Sequence, residues 1–163
     1  MKALSLWQPH AHAIALGLKP YETRDWPTKY RGPLAVHAAK RPWEDVGDWH
    51  REARLRIRSG IACCHETIGP MAFGAVVCVA DVVDCIPTRE LRGSIPPEHE
   101  FWGDFSDGER GMGRFAFKLQ NVRVLKEPFY VRGQQGLWEL SVPGFEGFAA
   151  AQGNLSLFGG ADG

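Results

Sequence analysis

The stretch SLWQPHAHAIALGLKPYETR, residues 5–24, predicts a short helix between two strands. The helix begins at Pro9 and ends before Gly17, because proline is favoured in the first helical turn and glycine just past the last one. The residues before Pro9 predict a strand, and so does the segment PYETRDW. The fold therefore starts as strand, helix and strand, with polar side chains gathered near the end of the helix.

Three charged side chains follow this helix, with Lys19 at the turn and Glu22 and Arg24 in the second strand. Alternate residues of a strand share a face, so Glu22 and Arg24 can form an ion pair. One interpretation gives this pair a purely structural role, in which it stabilises the closure of a barrel. With Lys19 beside it, the group could instead hold a phosphate or a carbonyl oxygen. A desolvated lysine can act as a base or nucleophile, and a carboxylate can carry a proton. Lys19 and Glu22 are thus the candidate catalytic residues, and Arg24 suits phosphate binding.

The rest of the chain predicts four more strand segments and one more helix. The strand segments are GPLAVHAAK, FGAVVCVADVVDC, RFAFKLQNVRVL and QGLWELSV, and the helix runs from Pro42 to Gly60. Residues 87–112 have an irregular pattern that predicts a partly helical excursion. We expect a mixed α/β, β-dominated fold, a barrel of five or six strands with flanking helices, over residues 1–143. Residues 144–163 are rich in Gly and Ala and predict a flexible tail.

Charge is unevenly spread along the chain, although the formal net charge is zero. Residues 1–60 hold 11 Lys or Arg against 6 Asp or Glu, whereas residues 61–163 hold 8 against 13. This segregation has two interpretations: one face of the protein binds a polyanion, or two solvated surfaces merely differ in charge. No apolar run reaches the roughly 18 residues of a membrane span, so we expect a cytoplasmic protein without a membrane partner.

The sequence predicts neither a metal site nor a cofactor. The four cysteines have no C-x-x-C spacing, which disfavours a zinc site. His10 and His12 look like a metal pair, but two residues apart on a helix they point about 200° away from each other. His10, next to the start of the helix, is the one expected to face a pocket.

The pattern strand, Q-P, apolar helix and G-x-K-x-x-E-x-R resembles the first motif of the ASCH superfamily. Here the motif falls on Gln8, Pro9, Gly17, Lys19, Glu22 and Arg24. The segments RGPLAVHAAK, FGAVVCVADVVDC and VRGQQGLWEL resemble later parts of the family in the expected order, so the likeness covers roughly residues 3–142. The resemblance implies a PUA-like pseudo β-barrel, a fold associated with RNA binding and, in some members, with RNA-directed hydrolysis.

The ASCH-type hydrolases of 4-acetylcytidine resemble this chain at Gly17 and Lys19, but they have Thr in the place of Glu22. For an enzyme, the resemblance implies a metal-independent amidohydrolase or ribonuclease. Glu22 would activate water and Lys19 would stabilise the oxyanion. Two departures bear on the substrate: His10 stands where many members have an aromatic residue, and residues 87–112 look like an insertion.

Further candidates for substrate or nucleic-acid binding have polar or aromatic side chains near predicted strand ends. They are Trp7, Gln8, His10, His37, Lys40, Gln134 and Gln135. Trp7 is either core or a platform for base stacking. His37 is either packed or a proton-transfer group, and Lys40 either contacts phosphate or is merely solvated. Gln134 and Gln135 lie in a loop and could read a base edge or a phosphate.

Two features lie outside this set. Arg51, Arg54 and Arg58 form one stripe on the second helix, which is a solvated face or a track for a nucleic-acid backbone. The segment QGNLSLF, residues 152–158, resembles the Q-L-S-L-F peptides that dock into the bacterial sliding clamp. Its apolar anchors would be Leu155, Leu157 and Phe158.

Three functions therefore stay open on the sequence. The first is a binding module for RNA or single-stranded nucleic acid. The second is a hydrolase acting on RNA or on a modified nucleoside. The third is a clamp-associated adaptor in DNA replication or repair, with the barrel as its scaffold.

Overall fold

The computed structural model describes residues 1–41, 48–63, 71–108 and 113–151 of the chain. Its strands are β1 (Lys2–Leu6), β2 (Tyr21–Arg24), β3 (Gly32–Ala38), β4 (Ala75–Pro87), β5 (Phe115–Tyr130) and β6 (Leu137–Glu139). Its helices are α1 (His10–Ala15), α2 (Asp48–Cys63), α3 (Thr88–Leu91), α4 (Pro97–Glu100) and α5 (Phe145–Ala151). The prediction of a strand-dominated mixed α/β fold with five or six strands is confirmed.

The described strands form one curled, half-barrel sheet in the order β2-β5-β4-β3-β1-β6. β1 and β3 are parallel, and the other neighbouring strands are antiparallel. The register between β4 and β5 shifts at several points, and such irregularities bend a strand and increase its twist. The curl brings β2 towards β1, where the Nη2 of Arg24 donates a hydrogen bond to the carbonyl of Ser5 at 3.3 Å.

Apolar residues cover both faces of the sheet, because neighbouring residues of a strand point to opposite sides. Leu4 and Leu34 belong to the larger cluster, and their neighbours Ala3 and Ala35 belong to a smaller one. Helix α1 packs into the larger cluster with almost every residue buried. The alanines of α1 let its backbone lie close to the strands, which positions the turn that follows it.

Helix boundaries differ from the prediction in two places. Helix α2 passes through Gly60 to Cys63, and its predicted start at Pro42 lies outside the described residues. Residues Phe145–Ala151 form helix α5 where no helix was expected, because Phe145 is 1% exposed and anchors the segment in the smaller cluster.

The predicted anchors of the tail, Leu155, Leu157 and Phe158, lie outside the described residues. No helix in the described part of the chain is long and apolar enough to cross a membrane.

Candidate functional site

The end of α1 positions Lys19. Gly17 has a φ of +73°, a left-handed conformation that glycine adopts without strain and that commonly ends a helix. The backbone N–H groups of Leu18 and Lys19 then donate to the carbonyl of Ala13 at 2.9 and 3.2 Å. This tight turn directs the chain into β2 and buries the lysine side chain at the base of a cavity.

Lys19, Glu22 and Arg24 form one row of charges. The Nζ of Lys19 lies 3.2 Å from Oε2 of Glu22, and the Nε of Arg24 lies 2.9 Å from Oε1 of the same carboxylate. Lys19 is 3% exposed and Glu22 is 6% exposed, whereas Arg24 reaches partly into solvent. The Lys19 ammonium also donates to the carbonyl of Trp102. Two of the three ammonium N–H groups are therefore engaged by protein oxygens.

Burial changes the protonation of two groups in this cavity. It lowers the pKa of Lys19, and the cationic Arg24 and Arg114 lower it further, while Glu22 acts in the opposite direction. Burial, followed by repulsion from Lys19, lowers the pKa of His10 to about 4. The imidazole of His10 is therefore neutral at pH 7, and its buried Nδ1 has no hydrogen-bond partner among the described residues.

Aromatic rings also line this first cavity, which has a volume of about 610 Å³. Trp49 stacks on Phe101 with ring centres 5.5 Å apart, and His10 lies 5.4 Å from Trp49 and 6.4 Å from Trp102. Trp102 is 1% exposed, so this part of the irregular segment 87–112 is a packed wall beside Lys19. The backbone N–H of Asp104 donates to Oγ1 of Thr23 at 2.9 Å and ties the segment to β2.

A second cavity of about 1140 Å³ adjoins the first, and Ser5, Trp7 and Arg24 line both. Trp7 is 61% exposed, and the guanidinium of Arg41 lies 4.2 Å from its ring centre. The structure therefore places Trp7 on the surface and not in the core. The other predicted residues that line the second cavity are His37, Lys40, Gln134 and Gln135.

His37 holds the wall of the second cavity. It is 2% exposed, and its Nε2 donates to the carbonyl of Val131 at 3.0 Å. Since a carbonyl only accepts, the neutral ring carries its proton on Nε2. Burial lowers the pKa of His37, while the bond to Val131 opposes that shift. These contacts give His37 a packing role in which it secures the loop that carries Gln134 and Gln135.

Gly133→Ala is expected to destabilise the fold by about 1–3 kcal/mol through overpacking. A Cβ at Gly133 would touch Cε1 of His37 and come within 2.6 Å of its Nδ1 and 2.7 Å of Oγ of Ser5. Urea denaturation measures the loss. Gly147→Ala is the matched control, since a Cβ there meets nothing within 4 Å and alanine favours helix α5. An equal loss in both variants would contradict this assignment of Gly133.

Gln8 lies apart from both cavities. It is 5% exposed, its Nε2 donates to the carbonyl of Ala72 at 2.7 Å, and its Oε1 accepts from the backbone N–H of His12 at 3.1 Å. These bonds fasten the start of α1 to the residues before β4. The amide is thereby occupied by protein partners, and Gln8 is not among the residues that line the two cavities.

Several residues singled out in the sequence line neither of the two cavities. His12 lines a separate apolar cavity, and no group of three or more His, Cys, Asp or Glu in the described segments is placed to hold a metal ion. The stripe residues Arg51, Arg54 and Arg58 are exposed on α2 and line neither cavity, and Arg51 pairs with Asp48.

The aromatic wall is the part of the site that sequence reasoning missed. Trp49, Phe101 and Trp102 come from two segments about 50 residues apart in the sequence and more than 25 residues from Lys19. The pair FW inside an otherwise polar excursion was the only local signal. Its neighbours in space could not be inferred from spacing along the chain.

Comparisons with known proteins identify a family and two relatives. A family model described as the ASCH domain matches residues 4–129. Activating signal cointegrator 1 from Homo sapiens and from Mus musculus is in each case 26% identical over 139 residues, which cover 84% of this chain. The match spans only 22% of the length of these curated relatives.

Solved structures give the same result for the fold. The crystal structure of ASCH from Zymomonas mobilis superposes with a TM-score of 0.54 at 16% identity, covering 91% of this chain and 93% of that one. A point mutant of the Zymomonas mobilis protein also gives a TM-score of 0.54, at 15% identity, with 91% and 96% covered. At this level of identity the likeness concerns the fold alone.

Proposed function

The chain belongs to the ASCH domain family, and from this premise we propose that it binds single-stranded RNA, with one nucleotide held in the first cavity. The observation that carries the proposal is that aromatic rings and a buried row of charges line the same cavity of about 610 Å³. Pockets for small molecules commonly have volumes of about 300–1000 Å³. A nucleotide needs both surfaces, because its base stacks and its polar edges form hydrogen bonds.

The charged row offers donors and an acceptor side by side. Lys19 keeps one N–H for a carbonyl or phosphate oxygen, and the partly exposed Arg24 can donate to phosphate. The Glu22 carboxylate can accept from an exocyclic amino group of a base. Unstacked bases of single-stranded RNA present these groups, whereas those of a duplex are paired. The excess of cations in residues 1–60 adds a general attraction for a polyanion.

Arg24→Gln is expected to raise the Kd for a fluorescein-labelled, unstructured 12-nucleotide RNA about tenfold, a loss of about 1.4 kcal/mol. Arg24 touches the first cavity without being buried, so the variant should stay folded. Fluorescence anisotropy at a fixed salt concentration measures the Kd. Circular dichroism checks the fold of each variant, and a DNA of the same sequence serves as a second ligand.

Arg58→Gln is the matched control for this measurement. It removes an exposed arginine of the α2 stripe that lines neither cavity, so its Kd should stay within about twofold of the wild-type value. Equal weakening by both substitutions would assign RNA binding to diffuse positive charge and overturn the cavity as the site. An unchanged Kd for Arg24→Gln would do the same.

A hydrolase is the second candidate, favoured by the unpartnered Nδ1 of the neutral His10 in the same cavity as Lys19 and Glu22. Hydrolysis needs a base that takes a proton from water and a cation that stabilises the oxyanion. Chromatography of N-acylated cytidine or RNA after incubation separates the two functions. Turnover that is lost in His10→Gln and kept in Arg58→Gln would support the enzyme, whereas binding without turnover supports the module.

A further inference from the structure

We propose that the second cavity holds the nucleotides adjacent to the one in the first cavity. The ligand is then an oligonucleotide of at least three residues and not a free nucleoside. This inference rests on the proposed function and extends it along the surface. It gives a function to the second cavity, called the groove below, which the charged row of the first cavity leaves without one.

The two cavities adjoin each other. Ser5, Trp7 and Arg24 line both of them, so an oligonucleotide that leaves the first cavity would reach the second past these three residues. Arg24 sits at the junction with its Nε against Glu22, and an Nη2 that bonds the carbonyl of Ser5. A phosphodiester that joins two nucleotides would lie at this guanidinium.

The charge of the second cavity differs from that of the first. Its described lining includes Arg24, Lys40 and Arg132 and contains no Asp or Glu, whereas Glu22 and Asp104 line the first cavity. Lys40 and Arg132 are both exposed. A groove with cations and no carboxylates suits a phosphate backbone, while a cavity with mixed charges suits the donor and acceptor groups of a base.

Exposed aromatic rings give the groove surfaces for stacking. Trp7 is 61% exposed and Tyr130 is 71% exposed, and both line the second cavity. Two exposed aromatic rings in one groove offer stacking surfaces, and bases stack on such rings with little regard to sequence. Arg41 over the Trp7 ring adds a cation beside this stacking surface.

The wall of the groove is held in place before any ligand binds. The bond from His37 to Val131 and the close approach of Gly133 to the His37 ring fix the loop that carries Gln134 and Gln135. A preformed wall reduces the entropy lost on binding. The second cavity is nearly twice as large as the first, so if the first takes one nucleotide, the second has room for two.

The test is a length series of oligouridylates, from uridine monophosphate to the hexamer, competing with a labelled RNA for the full chain. We expect affinity to rise at least fivefold with each nucleotide up to three, and then to level off.

In the double variant Lys40→Gln with Arg132→Gln, the trimer should lose at least tenfold in affinity while the monophosphate keeps its wild-type value. Lys126→Gln is the matched control, because Lys126 is exposed and lines neither cavity.

Stacking is tested separately with Trp7→Ala and Tyr130→Ala. Each should weaken trimer binding by about fivefold or more, since stacking of a base on an aromatic ring contributes about 1–3 kcal/mol. A polyphosphate of matched charge should compete less well than the trimer with wild type. Equal competition by the polyphosphate would mean that charge alone fills the groove and would overturn the inference.

Two outcomes distinguish this inference from the function on which it rests. Equal affinity for the monophosphate and the hexamer would overturn the extended groove and leave the first cavity as a nucleotide site. Absence of binding at every length would overturn the proposed function and the extension together. Equal weakening of monophosphate and trimer in the double variant would also contradict a separate second site.

Discussion

Glu22→Gln is expected to lower the free energy of unfolding by about 3–5 kcal/mol at pH 7, because it leaves the Lys19 cation buried without its anion. Lys19 is 3% exposed, and Arg24 and Arg114 already repel its charge. The neutral amide would still accept a hydrogen bond, but it cannot offset the cost of burying an ammonium group. Urea denaturation followed by tryptophan fluorescence measures the loss.

The difference in the free energy of unfolding between wild type and Glu22→Gln should shrink as the pH rises. The pKa of Lys19 is already lowered in the folded protein and falls further without Glu22, whereas in the unfolded chain it is close to 10.5. Between these two values the unfolded state binds a proton that the folded state lacks, so stability increases with pH. A deficit that stays constant from pH 7 to pH 10 would contradict a charged Lys19 as its cause.

The double substitution Lys19→Met with Glu22→Gln is the control. It removes the buried cation together with its partner, and buried ion pairs can often be replaced by apolar groups at little cost. Most of the lost stability should return, while RNA binding should remain weak because the donor is gone. Stability that does not recover would show that the bond from Lys19 to Trp102, and not the charge balance, dominates at this position.

Stability is expected to fall by about 2 kcal/mol for each of His10 and His12 between pH 7 and pH 5. Burial lowers the pKa of both rings from 6.5 to about 4. Between these values the unfolded chain takes up protons that the folded chain does not. The stability of the folded state is therefore fully present above pH 6.5 and is lost as the pH falls towards 4.

Substitution of one histidine isolates this effect from the carboxylates that titrate at lower pH. His12 lies in an apolar cavity lined by Ala15, Ala72 and Val77, so His12→Leu removes the titrating ring and suits the site. Its loss of stability between pH 7 and pH 5 should be about 2 kcal/mol smaller than that of the wild type. His10 lines a different cavity, so His10→Gln should act additively. Parallel pH profiles for wild type and both variants would contradict neutral buried rings.

The charged row could be predicted because it depends on short distances along the chain. The turn at Gly17 delivers Lys19 next to β2, and a strand places Glu22 and Arg24 on one face. The strand segments could also be predicted from local sequence, because a nearly unbroken apolar run is typical of a strand that is buried on both faces. The resemblance to the family further implied that these segments form one barrel-like sheet, and the six-stranded sheet confirms it.

The tertiary structure decided everything that depends on residues far apart in the sequence. The sequence left His37 as either packed or a proton-transfer group, and the structure buries its ring against Val131, 94 residues away, whose carbonyl accepts the Nε2–H. Gln8 looked like a ligand contact, but Ala72, 64 residues away, occupies its amide.

By itself the sequence determined the strand-helix-strand start and the row of Lys19, Glu22 and Arg24, because periodicity and turn chemistry act over a few residues. The family came from the resemblance of its motifs, and the family model over residues 4–129 confirms it. Only the tertiary structure brought Phe101 and Trp102 into the same cavity as that row, left Trp7 exposed and placed Arg24 in the lining of both cavities. The physical reason is that packing of distant segments, which local spacing does not encode, determines which side chains are buried and which face a ligand.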